Sequence, residues 1–233
     1  MRLAIMQPYL FPYLGYFQLA ASVDRFVFYD DVGYIKNGWI NRNRILLGGG
    51  SHYLTVPLSG ASSSQRIRDV RVRPQECWMP KLLEQLRHAY VRAPQYASVS
   101  RFVERILSTN TNSIAQLAVQ SVAETCAYLG IDTEFVPTST TYGNDGLKGL
   151  TRVIDICRRE RAGVYVNAPG GRALYDPASF AYAGVELAFI APLLRPYPQF
   201  GAPFVSGLSI VDVMMFNRAE SIRAMLKTDT VGA

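Results

Sequence analysis

Apolar positions along this 233-residue chain alternate between short continuous runs and longer stretches of helical spacing. Residues 3–6 (LAIM) form a run that stops at Gln7-Pro8, which predicts a first buried strand. Pro8 and Pro12 bracket a rigid turn. Leu14, Phe17 and Ala21 then recur at helical spacing, predicting a helix over 14–23 that Asp24 closes. Residues 25–29 (RFVFY) read as a second strand ending on the paired acids Asp30 and Asp31. Strand, turn, helix and strand in this order make a βαβ unit, which nearly always carries parallel strands and a right-handed crossover.

A polar loop over 33–44 follows, then a strand at 53–56 stopped by Pro57. The stretch 66–73 (RIRDVRVR) alternates arginine with isoleucine or valine and predicts a strand with one charged face. Three helices are expected over 81–90, 96–107 and 113–129, the last stopped by Gly130. Beyond them the pattern gives a strand (132–137), a Ser/Thr loop (139–146), a helix (147–161) and a strand (163–166). Next come a glycine turn (167–171), a short helix (177–183) and a strand (185–189). An extended loop (192–207) and two helices (209–216, 219–226) end the chain. The turn at 167–171 (NAPGG) is read as needing glycine for positive φ. Strands alternating with helices indicate an α/β fold, a mostly parallel Rossmann-like sheet flanked by helices. The whole chain, 1–233, is read as a single α/β domain, with 76–129 a helical insertion within it.

Composition narrows the classes. Apolar residues make up 49% and charged residues 18%, which excludes disorder for most of the chain. No window is long and apolar enough for a membrane span, and Gln7, Pro8 and Pro12 break any secretion-signal core, so a cytoplasmic location is expected. Cys77, Cys126 and Cys157 are an odd number at wide spacings and argue against a disulfide framework. With only His52 and His88, histidine chemistry and a metal site are not expected. The net charge of +6 comes from 20 arginines against 4 lysines, a bias suited to phosphorylated or acidic small molecules or simply to a GC-rich genome. Nucleic acid is not an expected partner, because no stacking motif stands beside the basic face.

In open parallel sheets ligands sit outside the carboxyl ends of the strands. That rule gathers four segments: Gln7 to Tyr16, Asp30-Asp31 with the loop after it, 139–146, and 167–171. Asp30 and Asp31 suit an amine, a ribose hydroxyl or Mg²⁺, or a plain turn. Asn41, Arg42 and Arg44 suit a phosphate or carboxylate, or a solvated basic loop. Asn167 and Gly170 lie in a possible backbone nest for an oxyanion.

The segments MQPYLFPYLGYFQL, FVFYDDVGYIKNGWINRNRI, YLTVP, YVNAPGG-x-x-x-Y, YPQF and LSIVD, in this order, closely resemble the WbqC-like protein family across nearly the whole chain. The family pattern falls on Gln7, Pro8, Gly15, Tyr16, Asp30, Asp31, Asn41, Arg42, Arg44, Gly170, Tyr175, Tyr197, Gln199, Ser209 and Asp212. Asn167-Ala168 departs from it, standing where a Ser-Gly pair is the pattern. The resemblance implies a role in bacterial O-antigen, capsule or natural-product biosynthesis, among amino-sugar or amine intermediates. The first segment and LSIVD are also partly similar to HUP-superfamily nucleotidyltransferases, although Gly15-Tyr16 stands where those have Gly-His.

These features lead to an expected transferase that joins an acyl or aminoacyl group to an amine. Asp30, Asp31 and Tyr16 are its catalytic candidates. Gln7, Gly15, Asn41, Arg42, Arg44, Asn167, Gly170, Tyr175, Tyr197, Gln199, Ser209 and Asp212 are its substrate-binding ones. The expected partners are an anionic sugar nucleotide or thioester and a carrier protein; the cofactor is open between a nucleotide, coenzyme A (CoA) and a carrier-protein thioester. The alternatives are a HUP-type nucleotidyltransferase or ATP-dependent ligase using Mg²⁺, and a non-catalytic partner in a biosynthetic complex.

Overall fold

The computed structural model describes residues 1–201 and 203–232. The expected βαβ unit is present as β1 (Arg2–Met6), α1 (Leu14–Ala21) and β2 (Arg25–Phe28), with β1 and β2 parallel. A hairpin follows, β3 (Arg42–Leu47) and β4 (Gly50–Thr55). The end of the expected polar loop is therefore a strand. Gly48 and Gly49, at φ +60 and +80, make the reversal that lets Arg42 pair with Thr55.

The stretch 66–73 is not a continuous strand. It forms a 3₁₀ turn (Ile67–Asp69) and a two-residue strand β6 (Arg71–Val72), which pairs with β5 (Leu58–Ser59). The alternation held in another form: Ile67, Val70 and Val72 are buried while Asp69, Arg71 and Arg73 are exposed. The helices α2 (Met79–Tyr90), α3 (Tyr96–Leu107) and α4 (Ile114–Leu129) match the expected block, and Gly130 ends α4 at φ +66. Of the three, α4 is also the crossover from β2 to β7 (Glu134–Val136), which lies parallel beside β2. Then come α5 (Gly149–Arg159), β8 (Val164–Asn167), α6 (Pro177–Tyr182), β9 (Glu186–Ala191), α7 (Ile210–Phe216), α8 (Ala219–Met225) and β10 (Asp229–Gly232). The pattern had not indicated β10, a polar strand antiparallel to β9.

The main sheet runs β10-β9-β8-β1-β2-β7. Counting its parallel strands in chain order gives third-second-first-fourth-fifth, the doubly wound order whose switch point lies between β1 and β8. Period-two alternation divides the core. Ala4, Phe26 and Phe28 face a cluster built with α1, α2, α3, α4, α7 and α8, whereas Leu3, Ile5 and Val27 face a second one with α5 and α6.

The glycine argument at 167–171 is corrected. Pro169–Leu174 is a 3₁₀ helix and neither Gly170 nor Gly171 takes a positive φ. Gly171 is needed for space instead, since a Cβ there would stand 2.5 Å from the Asn167 amide nitrogen.

Much of the family pattern lies in the scaffold between these layers. Asn41 accepts from the Tyr34 hydroxyl and donates to the Val56 carbonyl, and Asn43 donates to the Leu10 carbonyl. Ser209 caps α7 and donates to the Phe11 carbonyl at 2.7 Å. Asp212, fully buried, accepts from Tyr90 at 2.7 Å, Tyr197 at 2.5 Å and the Gln199 amide at 2.8 Å. Burial raises its carboxyl, and these three donors oppose that only in part. Gln199 also closes a two-bond ring with the Val205 backbone, so this network ties the 192–207 loop to α7. Asp212→Ala strands the buried Tyr90 hydroxyl and the half-buried Tyr197 and Gln199 donors, and the expected loss is about 2 kcal/mol, read as a lowered denaturation midpoint.

Candidate functional site

Asp30 and Asp31 follow the end of β2 as neighbours, and the Ser139 hydroxyl lies within hydrogen-bond reach of both carboxylates. Asp31 turns toward α5, where its Oδ2 meets Arg152 Nη2 at 2.5 Å; the two side chains are 1% and 3% exposed. Asn144 holds the Arg152 Nε at 2.9 Å, and the guanidinium lies 5.0 Å from the centre of the Tyr29 ring. Burial alone would raise the Asp31 carboxyl, but the bonds from Arg152 and Ser139 outweigh it and hold the group below the ordinary carboxylate range.

Asp30 turns toward α4. Its Oδ1 accepts from Thr138 Oγ1 at 2.8 Å and from the Ser139 backbone at 3.0 Å. Its Oδ2 takes no hydrogen bond from another described residue. Asp30 is 6% exposed, and what it exposes lies on the wall of a cleft. Burial raises the Asp30 carboxyl; the Thr138 and Ser139 bonds oppose this, and the charge of Asp31 adds to it. Ser139 joins the pair, its hydroxyl donating to Asp31 and its N–H to Asp30.

Asp30 stands in an open cleft of about 710 Å³ with Arg68, Arg71, Asn112, Gln116, Gln120 and Thr138 on its walls. The chain 65–68 forms this wall by running antiparallel along 30–34: Arg68 donates its N–H to the Asp30 carbonyl, Ile67 to Val32, and Tyr34 to Gln65. Arg66 reaches Asp145 at 3.0 Å, which fastens the wall to the loop after β7. Of these groups only Asp30 was a sequence candidate, and Thr138 and Ser139 border the loop that topology assigned to the rim. Arg152 carried a signal of its own, a charged residue on the inward helical stripe with Val153 and Ile156, all three buried.

The other candidates do not meet at this cleft. Tyr16, 2% exposed, packs against Phe26 and donates its hydroxyl to the Gln7 carbonyl, so its catalytic assignment is corrected to a core one. Its hydroxyl is pushed well up by burial. Gly15 sits under the Tyr13 ring, where a Cβ would come within 2.4 Å. Arg42 stacks 4.3 Å over Tyr53 and donates to the Gly38 and Asn37 carbonyls on the hairpin. Arg44 donates to the Gly207 carbonyl and lies over Trp39. Beside the switch point, Asn167 caps its own turn through the Ala168 N–H and donates to Tyr165, whose ring meets Tyr175 edge-on; Gly170 is exposed. Tyr16 and Arg42 donate to nearby backbone carbonyls and Asp31 pairs with Arg152, so no hydrogen bond or ion pair among the described residues joins these three candidates.

Fold and site together define a doubly wound α/β protein whose cleft, lined by Asp30, Asp69, Arg68 and Arg71, lies outside the ends of β2 and β7. The chain belongs to the WbqC-like protein family, whose model matches residues 7–224. Over 224 residues it is 29% identical to "Uncharacterized protein Rv1507c" of Mycobacterium tuberculosis (strain ATCC 25618 / H37Rv), a match covering 94% of this chain and 95% of that protein. No solved structure matches. Among the described residues no helix is long and apolar enough to cross a membrane.

Proposed function

We propose that this protein is a transferase that joins an acyl or aminoacyl group to an amine, in bacterial glycan or natural-product biosynthesis. The observation that carries the reading is Asp30: a carboxylate anchored through one oxygen, with no bond to the other from another described residue, on the wall of a cleft that also presents Arg68 and Arg71. The acceptor amine sits against Asp30 Oδ2, and the arginines hold the anionic donor. The amine nitrogen attacks the acyl carbon. A C–N bond forms, the bond to the thiolate or phosphate leaving group breaks, and the ammonium proton passes to Asp30. A raised carboxyl pKa suits that role, since a base nearer the working pH transfers protons more effectively.

In this reading Asp31 does not touch substrate; with Arg152 it fixes the turn from which Asp30 projects. Cys77, Cys126 and Cys157 are all free, and burial pushes the thiols of Cys126 and Cys157 up to about 12. Unpaired thiols support placing the protein in the cytoplasm.

The test is transfer to an amine acceptor measured against pH. The expected profile falls on its acid side with a midpoint raised from the ordinary aspartate value, and Asp30→Asn lowers the activity by about 10²–10⁴-fold on the plateau. Full turnover by Asp30→Asn overturns the reading. Exchange of labelled pyrophosphate into ATP would instead support the nucleotidyltransferase alternative.

A further inference from the structure

The charged face of 66–73 continues past the Asp30 cleft. A second groove, of about 640 Å³, is lined by Arg73, Glu76, Thr109, Asn110 and Thr111, and it shares Asn112 and Gln116 with the first. Val72 is buried between Arg71 and Arg73, so the two arginines project on the same side of the chain. Their Cα atoms are about 6.6 Å apart at extended spacing. Backbone bonds hold this wall in place: the Val72 N–H donates to the Asn112 carbonyl and the Ile114 N–H to the Val70 carbonyl. Arg68 has Asp69 at 3.7 Å, but neither Arg71 nor Arg73 has a carboxylate partner among the described residues.

We propose that the two grooves form one binding site for an organic diphosphate, with Arg71 and Arg73 each holding one phosphate. The guanidinium fork matches phosphate oxygens two at a time, and two forks at this spacing suit two linked phosphates better than one. Asn110, Asn112, Gln116 and the threonines supply the amides and hydroxyls that hydrogen-bond a hydroxyl-bearing group attached to the diphosphate. Glu76 is the opposing charge in the second groove, and Asp30 and Asp69 are those in the first. The assignment rests on the transfer reading only in directing the reactive end of the ligand to Asp30. Sugar nucleotides and coenzyme A both contain this diphosphate.

Titration calorimetry on the full chain tests it, with inorganic phosphate, inorganic pyrophosphate, UDP, UDP-glucosamine and coenzyme A as probes. Pyrophosphate and UDP are expected to bind at least about tenfold more tightly than phosphate. Arg73→Ala is expected to erase that preference, Arg73→Lys to restore part of it, and Glu76→Gln to strengthen UDP binding. Tighter binding of UDP-glucosamine than coenzyme A makes the diphosphate that of a sugar nucleotide, and the reverse order makes it that of a thioester. Equal affinity for phosphate and pyrophosphate, or undiminished UDP binding by Arg73→Ala, overturns the proposal. Those results leave the role of Asp30 standing, whereas full turnover by Asp30→Asn with UDP binding intact removes the transfer reading alone.

Discussion

Replacing Asp30 with asparagine is expected to slow transfer by about 10²–10⁴-fold, the usual contribution of a positioned general base, without lowering the melting temperature. The two halves of this result have separate causes. Asparagine keeps an oxygen where Thr138 and Ser139 donate and places its NH₂ where Oδ2 faces the cleft, so the anchoring bonds survive. What it lacks is the capacity to take a proton. The sign of the stability effect follows from linkage. The folded carboxyl lies above its unfolded value, so ionised Asp30 costs stability at neutral pH, and that cost disappears as pH falls through the folded value. Removing the charge should leave the midpoint of thermal unfolding at pH 7 unchanged or slightly higher. Turnover and melting curves on the same preparation measure both.

Arg152→Ala is expected to do the reverse, costing about 3–5 kcal/mol of stability because Asp31 remains buried without its counter-charge. Asn144 also loses its guanidinium partner, and the ring of Tyr29 loses the cation above it. Combining Arg152→Met with Asp31→Asn is expected to recover part of the loss, since a buried pair replaced together leaves no lone charge. The pH dependence has a definite sign here too. Folding depresses the Asp31 carboxyl, so its stabilisation is complete above the unfolded carboxylate value and is lost as pH falls through the lower folded value. Acid unfolding of Arg152→Ala should therefore lack that limb. Urea titrations of the single and double variants at pH 7 and in acid read all of this.

The parallel sheet was legible because buried strands such as LAIM and RFVFY leave uninterrupted apolar runs, and helices such as α3 leave a clear stripe. The strand β3 was not. Asn41, Arg42, Asn43 and Arg44 read as a polar loop, while in the fold Asn41 and Asn43 are buried against backbone groups of other layers. The same ambiguity misled the site. A family pattern marks Gln199, Ser209 and Asp212 as strongly as Asp30, and nothing in a single chain separates an amide that holds a loop from one that holds a ligand. The cleft wall was not legible, because Arg68, Arg71, Asn112 and Gln120 come together only through the pairing of 65–68 with 30–34 and of 70–72 with 112–114.

That Asp30 and Arg71, rather than the loops after β1 and β8, receive the small molecule is tested most directly by a crystal structure of the protein grown with UDP. Density for the diphosphate beside Arg71 and Arg73, with Asp30 Oδ2 free at the near end, is the predicted result. Density between Gln7 and Asn167, with the Asp30 cleft holding only water, would contradict it.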